Sequence, residues 1–456
     1  MVCSALALGA LGVLVVSACV GDDPAVATTS GEDASRTTED AAIDALPPND
    51  APADQAVPQH AIQIVAGSES ACALLSDRTV WCWGTNAFAE LGAPVTVPDS
   101  APRQVQGLDS VASISFGSTN VCAVKMDGTV WCWGRNTEGE LGRAPTDVPA
   151  CGVAHCTPVP TQIPGLLASQ VFAGGAFACA IAPPRSEVTC WGRNLDGQTG
   201  SPASPTALPT VVPGLANVVR MKLGYLGRSV CAVDNAGLVW CWGKNDRGQL
   251  GHTPGALSDI SYSGGFYNPV PQRVTMEADG GGGAFDHVTD VVVTDTVCAA
   301  RDNGTVWCWG RNSENDLNLA NADELVHPKP VQIAPISGAI SVHAGRATCA
   351  LVDGGAPWCW GADIVAAGGG QARDAGCIVN TIPVPYYAPA PVPGPALASL
   401  SINAQLAFGL TLAGGVPVAW GSNTLDGAGR LGHPPGTAGD DDAGLNPTPT
   451  PVIGLP

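Results

Sequence analysis

Seventeen cysteines in 456 residues are the side chains best placed to do chemistry, and their spacing narrows what that chemistry is. Five pairs stand ten residues apart: Cys72 with Cys82, Cys122 with Cys132, Cys231 with Cys241, Cys298 with Cys308, and Cys349 with Cys359. A sixth, Cys179 with Cys190, is one residue longer. Paired thiols can form a disulfide, ligate zinc or fill apolar space. Structural zinc favours C-x₂₋₄-C spacing, which none of these pairs has. A seventh copy of the surrounding pattern carries Gly409 and Ala419 in place of both cysteines. No copy keeps a single partner, as expected where losing one thiol leaves the other idle. Disulfides are the favoured reading. Cys151 and Cys156 are expected to close a small loop of their own, and Cys377 is left over.

Other chemistry is sparse. The seven histidines (His60, His155, His252, His287, His327, His343, His433) are scattered, with no pair at metal-ligand spacing. There is no phosphate-cradling Gly-Lys loop and no calcium loop. Asp440-Asp441-Asp442 lies in a Gly-rich stretch and is read as solvated. No catalytic, cofactor-binding or metal residue is assigned, and no cofactor is expected.

The elements that position the cysteines follow from the same spacing. Between Cys122 and Cys132 the chain reads as a β-hairpin turning through Met126-Asp127-Gly128. Such a three-residue loop ends in a left-handed residue, which glycine adopts without strain. Gly237, Gly304, Gly355 and Gly415 repeat that position, Arg78 occupies it in the first copy, and the third has an extra residue near Pro183-Pro184. Counting back from the loop puts the cysteines at a non-hydrogen-bonded pair, where cross-strand side chains lie closest.

Each hairpin ends in Trp-Gly. Trp131-Cys132-Trp133-Gly134 recurs at Trp81–Gly84, Trp240–Gly243, Trp307–Gly310 and Trp358–Gly361, with weaker copies at Thr189–Gly192 and Val418–Gly421. All 12 Trp fall in these seven copies, so the tryptophans are read as packing residues. Alternation exposes both faces of this strand as apolar, which calls for burial on both sides. An alternating strand precedes each hairpin, as in Val111–Gly117. A turn-rich segment such as Asn136–Gly142 follows, in which Asn315 and Asn318 replace glycines expected to need positive φ. A Pro-Val strand closes each repeat: Arg103–Leu108 in the first, Pro391–Gly394 in the sixth, Pro451–Leu455 in the last. Successive motif tryptophans are 50 to 67 residues apart. The longer units carry insertions near Ala144–Pro160, His252–Pro271, Ala362–Pro389 and His433–Pro449, expected on one binding face. The fold class is all-β: one seven-bladed propeller of four-stranded antiparallel blades.

The run Asp127-Gly128-Thr129-Val130-Trp131-Cys132-Trp133-Gly134, with Asn245–Gly251, resembles the regulator of chromosome condensation repeat. The resemblance covers residues 59–456 and implies a closed ring of seven blades, with the strand near Pro451–Leu455 pairing beside the first repeat. In that family the eukaryotic founder exchanges guanine nucleotide on a small GTPase, a secreted bacterial member inhibits β-lactamases, and a plant member senses ultraviolet light. No functional residue of the family maps onto this chain, so the resemblance implies a scaffold.

Residues 5–16 form a short apolar run, and Val16-Ser17-Ala18-Cys19 resembles a lipoprotein cleavage box. No Lys or Arg precedes the run, so the true start is expected to differ. Residues 1–18 are read as a signal peptide and Cys19 as the lipid attachment site; an ordinary cleaved signal is the alternative. Residues 19–58 are read as a disordered tether bearing nine acids against Arg36. The propeller spans 59–456, with repeats at about 59–108, 109–166, 167–215, 216–277, 278–336, 337–395 and 396–456. With a net charge of −20, nucleic acid is an unfavourable partner. The expected function is a monomeric scaffold, lipid-anchored to the bacterial outer membrane or cell surface, that binds a protein or surface polymer through its insertions. The alternatives are an enzyme acting on polysaccharide at the propeller mouth and a nucleotide-exchange regulator.

Overall fold

The computed structural model describes residues 59–95, 99–223, 228–277, 282–319, 322–362, 372–379, 382–403, 406–423, 430–431 and 445–456. The expectations for residues 1–58 including Cys19, for His433, for Asp440–Asp442 and for the Cys377 thiol lie outside that description.

The chain winds through seven antiparallel sheets in sequence order, each made from one repeat. We number them blades 1 to 7. The alternating strand is innermost in each: Ala61–Ala66, Val111–Phe116, Gln170–Ala173, Val218–Met221, Val288–Val293, Ala339–Ala344 and Leu397–Asn403. The hairpin supplies the second and third strands, and the Pro-rich segment the fourth. That last strand begins earlier than its Pro-Val signature suggests: Asp99–Gln104 and Ile382–Pro391 are examples. The valine past its end (Val105, Val212, Val274, Val392, Val452) turns into the core instead. Prolines cannot extend a β-ladder, so an outer strand rich in them protects the rim from edge-to-edge pairing.

Blades 2, 4 and 6 have a fifth strand beyond the expected four: Ala150–Cys151, Ile260–Tyr262 and Ala372–Val379. All three come from the insertions. The sixth-blade insertion is also shorter than expected, since Ile382–Pro391 is the fourth strand of that sheet.

Hairpin register matches the cysteine spacing. Cys122 lies opposite Cys132 and Val124 opposite Val130. Gly128 closes the loop at φ +84 and Arg78 adopts φ +70 in its place. Asn315 and Asn318 also have positive φ. Asp127 Oδ1 caps the loop, accepting from the Thr129 N–H at 2.9 Å and hydroxyl at 2.7 Å. That hydroxyl in turn accepts from Trp131 Nε1 at 2.9 Å.

Packing between blades is asymmetric. Each of the first six hairpins presents its cystine on one face and small alanines with the second tryptophan on the other. Cys122 and Cys132 of blade 2 pack on Ala178, Ala180 and Trp191 of blade 3, and the arrangement recurs at the other interfaces. The second tryptophan is fully buried, whereas the first, as at Trp131, is only half-buried under the Lys125 ammonium. Trp133 Nε1 reaches back to the Glu90 carbonyl of blade 1 at 3.0 Å, and Trp191, Trp242, Trp309 and Trp360 repeat the bond.

Closure departs from expectation in two ways. The last strand, Leu445–Pro451, pairs within blade 7 rather than beside the first repeat. The ring closes instead by face packing: Leu406, Phe408 and Ala419 bury against Ala71, Ala73 and Trp83, with Phe408 and Trp83 edge to face at 5.7 Å. The residue opposite Ala419 is Phe408, not Gly409. The blade 7 hairpin, like that of blade 3, is one residue longer than the others, which displaces the count. One phenyl ring thus fills the space that a cystine fills elsewhere.

Seven disulfides are formed among the described residues. Six staple the second strand of a blade to its third. Cys72 joins Cys82 in blade 1, Cys122 joins Cys132 in blade 2, and Cys179 joins Cys190 in blade 3. Cys231 joins Cys241 in blade 4, Cys298 joins Cys308 in blade 5, and Cys349 joins Cys359 in blade 6. In all six the two cysteines face each other directly in the hairpin register. The seventh, Cys151 to Cys156, closes the blade 2 insertion on itself. The cross-strand Cα separations of 4.0–4.2 Å are those of non-hydrogen-bonded positions. Replacing Cys122 and Cys132 together by Ala is expected to cost about 2–3 kcal/mol from loop closure, measured as a shift in the denaturant midpoint under non-reducing conditions.

Candidate functional site

In every blade the third strand runs toward the same face, and the loops that follow it share that face with the turns after the inner strands. We call it the loop face. The insertions of blades 2, 4 and 6 all leave from it. Its turns are held by one device: Asn136 Oδ1 accepts the Leu141 N–H at 2.9 Å while Nδ2 donates to the Ala144 carbonyl at 3.1 Å. In blades 1 to 4 the residue before that leucine, or before Thr199 in blade 3, is a buried acid or amide. Glu140 Oε2 accepts from the Glu138 N–H at 2.7 Å, and Glu90 bonds Phe88 likewise at 2.6 Å. Gln198 and Gln249 make the same bond in blades 3 and 4 at 2.9 and 2.8 Å. Burial pushes the Glu90 and Glu140 carboxyls up to about 7. Asp316, the blade 5 equivalent, is pushed to about 7 by burial and by Glu314.

Three histidines meet aspartates. His252 Nε2 and Asp259 Oδ1 are 2.8 Å apart, and both side chains are almost wholly buried. Asp259 Oδ2 also accepts from Asn245 Nδ2 at 2.8 Å and the Gly255 N–H at 3.1 Å. This pair clamps the blade 4 insertion to its turn and is shut away from substrate. His287–Asp302 and His327–Asp323 lie more openly, at 3.0 and 2.7 Å. Among the described residues no three His, Cys, Asp or Glu gather as metal ligands.

Outward from the turns, the loop face carries exposed apolar side chains on five successive blades: Val95, Val153, Leu195, Leu257 with Ile260, and Leu325. Val153, at the tip of the disulfide-closed insertion, is fully exposed.

The inner strands surround an axial cavity of about 330 Å³. A bulge at the second residue of most inner strands turns the third and fifth side chains inward. They bridge to the exposed edge of the next blade. Gln63 donates to the Ile114 carbonyl at 2.7 Å and accepts its N–H at 2.9 Å. Ser115 accepts from the Ala173 N–H and Ser401 from the Ala66 N–H. Lys222 Nζ bonds Asp290 at 2.5 Å and the Val342 carbonyl at 2.8 Å. His343 faces the cavity with Nε2 at 2.9 Å from the Ser341 hydroxyl, and burial holds it well below the usual imidazole range. Sequence reasoning assigned no role to these positions. Their signal was the polar third and fifth residues within an otherwise apolar strand.

A family description, the regulator of chromosome condensation (RCC1) repeat, matches residues 77–124, 127–181 and 236–300, and a second form of it matches 61–89 and 111–140. The chain carries RCC1 repeats over these residues. Human HERC2, an E3 ubiquitin-protein ligase, is 27% identical over 190 residues, 41% of this chain and 4% of that protein. The ultraviolet-B receptor UVR8 of Arabidopsis thaliana is 26% identical over 196 residues, 42% of this chain and 40% of the receptor. The RCC1-repeat chain thus spans less than half the length of these relatives. Prp20p of Saccharomyces cerevisiae superposes with a TM-score of 0.64 at 19% identity, covering 82% of this chain and 85% of that one. Human WBSCR16 gives 0.59 at 20%, covering 76% and 86%. At such identities the likeness is one of fold. With RCC1 repeats in its sequence and seven sheets in its structure, the chain has the fold of an RCC1-like propeller.

Proposed function

We propose that this propeller is a protein-docking scaffold held outside the reducing cytosol and anchored to a membrane through a lipid on Cys19. The observation that carries the docking role is the run of exposed apolar side chains across the loop face of blades 1 to 5, with Val153 fully exposed. Comparable side chains are exposed at the opposite end of the blades, Met126, Leu167 and Leu412 among them, so what favours the loop face is that the insertions also leave from it, and insertions between regular units often carry binding. Prp20p offers a parallel in its reported binding to Gsp1p and histones. Seven disulfides favour an oxidising compartment, since cytosolic thiols are kept reduced. The lipid rests on the Val16–Cys19 sequence. The reading is one of binding rather than catalysis, and the buried His252–Asp259 pair, which holds a loop, is consistent with it.

The test is cross-linking on intact cells followed by mass spectrometry, comparing the parent with a variant carrying Val153→Asp, Ile260→Asp and Leu325→Asp. All three side chains are exposed, so the fold should be unaffected. Protein adducts of the loop face are expected to fall by about tenfold, the loss of roughly 1.4 kcal/mol of binding. An unchanged adduct pattern would refute loop-face docking, and a soluble rather than membrane-bound chain would refute the anchor.

A further inference from the structure

The rim of the propeller is protected blade by blade, except at one stretch of blade 5. Blades 2, 4 and 6 cover the start of the fourth strand with a fifth. In blade 4 Tyr267, just before the residue opposite Gly243, pairs outward with Ile260. In blade 6 the equivalent Tyr386 pairs outward with Arg373. In blade 2 the equivalent Cys156 donates its N–H to the Pro149 carbonyl of the insertion at 3.1 Å. Three of the four-stranded blades leave little edge at this place. In blades 1 and 7 the fourth strand only begins here, at Asp99 and Leu445. In blade 3 Pro205 interrupts it, and the Ser204 hydroxyl caps the Thr206 carbonyl at 3.0 Å.

Blade 5 has none of these devices. Its fourth strand, Asp323–Gln332, runs through Asp323–His327 before its first proline and is the outermost of its sheet. Val326 precedes His327, which lies opposite Gly310, so it holds the place of Tyr267 and Cys156. Among the described residues no strand pairs with its outer edge. Leu325 and Val326 are 66% and 41% exposed. Arg247 of blade 4 braces the segment, donating to the Glu324 carbonyl at 2.8 Å and its carboxylate at 3.0 Å.

We propose that this edge receives an extended segment of a partner protein by β-strand addition. The Val326 N–H and C=O would bond the added backbone, while Leu325 and Val326, on opposite faces of the strand, contact its alternate side chains. The occupant is a strand because the chain itself puts one at the same place in three blades, of two, three and eight residues. A bare apolar edge without proline is what folded proteins avoid, and the rest of this rim avoids it. The inference rests on the loop-face docking reading, since Leu325 belongs to both.

The test uses the full chain with its disulfides intact. The probe is a capped peptide of alternating threonine and valine between terminal lysines, with two controls N-methylated at the valines or at the threonines. Calorimetry is expected to show saturable binding of the probe, with hydrogen exchange slowed at Val326. At least one methylated form is expected to bind about tenfold more weakly, because each methylation removes the N–H donors from one edge of the peptide. Val326→Pro is expected to lose about as much affinity. The same strand already holds Pro328 and Pro330, so the thermal midpoint should stay where it is. No binding, equal binding of all three peptides, or slowed exchange on another blade instead of Val326 would each overturn the proposal, and none of these readings needs a variant. A dimer in sedimentation that Val326→Pro abolishes would overturn it in favour of a second copy on this edge. Val326→Pro leaves Val153, Ile260 and Leu325 in place. Cellular adducts that survive it but fall in the triple aspartate variant would remove strand addition and leave loop-face docking standing.

Discussion

At pH 8 a chain carrying Glu90→Gln and Glu140→Gln is expected to be more stable than its parent, and most of the difference is expected to disappear as the pH falls to 5. Both carboxyls are buried at the junction between one blade and the next, at 1% and 0% exposure. Burial removes the water that would solvate a carboxylate, so each holds its proton up to about 7 rather than the ordinary 4.5. The unfolded chain releases that proton near 4.5. Between the two values the folded state binds more protons than the unfolded state, so stability falls as pH rises. The contribution is fully present below 4.5 and lost as the pH passes 7. Each group can cost up to about 3 kcal/mol above that point, reduced for Glu140 by Arg135 Nε at 3.6 Å. The amide is a fair replacement because the chain already uses it: Gln198 and Gln249 make the same backbone bond in blades 3 and 4. Denaturant unfolding of parent and variant at pH 5, 6, 7 and 8 measures the effect. Parallel curves at all four values would show that these carboxyls do not titrate in that window.

What the sequence disclosed and what it withheld divide along physical lines. The hairpin was legible because everything it needs is local. Asp127, Gly128 and Thr129 set the loop, and the loop sets which residues face each other. The same local count places Cys82, Cys241, Cys308 and Cys359 opposite their partners ten residues upstream, and the longer third hairpin does so for Cys190 at eleven. Blade count was legible because Trp-Gly recurs at each hairpin end. Phe408 was misplaced because its hairpin has one more residue, and loop length is not fixed by the motif that follows it. Closure by face packing was hidden for a related reason. Nothing in the Pro451–Leu455 stretch distinguishes a strand that joins its own sheet from one that crosses to the first. The fifth strands came from insertions whose composition resembles other loops. Ser115 and Ser401 escaped notice because their role depends on the next blade. A serine that bonds an N–H some 58 residues away, as Ser115 does to Ala173, carries no local signature.

The glycine of Trp-Gly permits the sharpest mutational contrast. All seven copies adopt positive φ, from +92 at Gly361 to +113 at Gly421. In each blade the pairing of third and outer strands slips at this residue, as between Cys132 and Gly134. The slip brings Gly134 against the start of the second strand. An added Cβ would lie 2.6 Å from the Thr119 carbonyl oxygen and 3.1 Å from Asn120 Cα. Both are backbone atoms, fixed by the Arg135 N–H bond to the same carbonyl at 3.0 Å, so neither can give way like a flexible side chain. Gly134→Ala is therefore expected to cost about 3–5 kcal/mol, combining a strained φ with overpacking. Gly128→Ala is the control. Its φ of +84 is also positive, but an added Cβ meets nothing nearer than the Ala168 carbonyl oxygen at 3.6 Å. Only the backbone strain applies there, about 1 kcal/mol. Denaturant midpoints for the two variants separate the causes. Equal losses would mean that positive φ alone selects glycine at both sites. A several-fold larger loss at Gly134 would mean that the close crossing of two strands, repeated in every blade, is what makes tryptophan's neighbour invariably glycine.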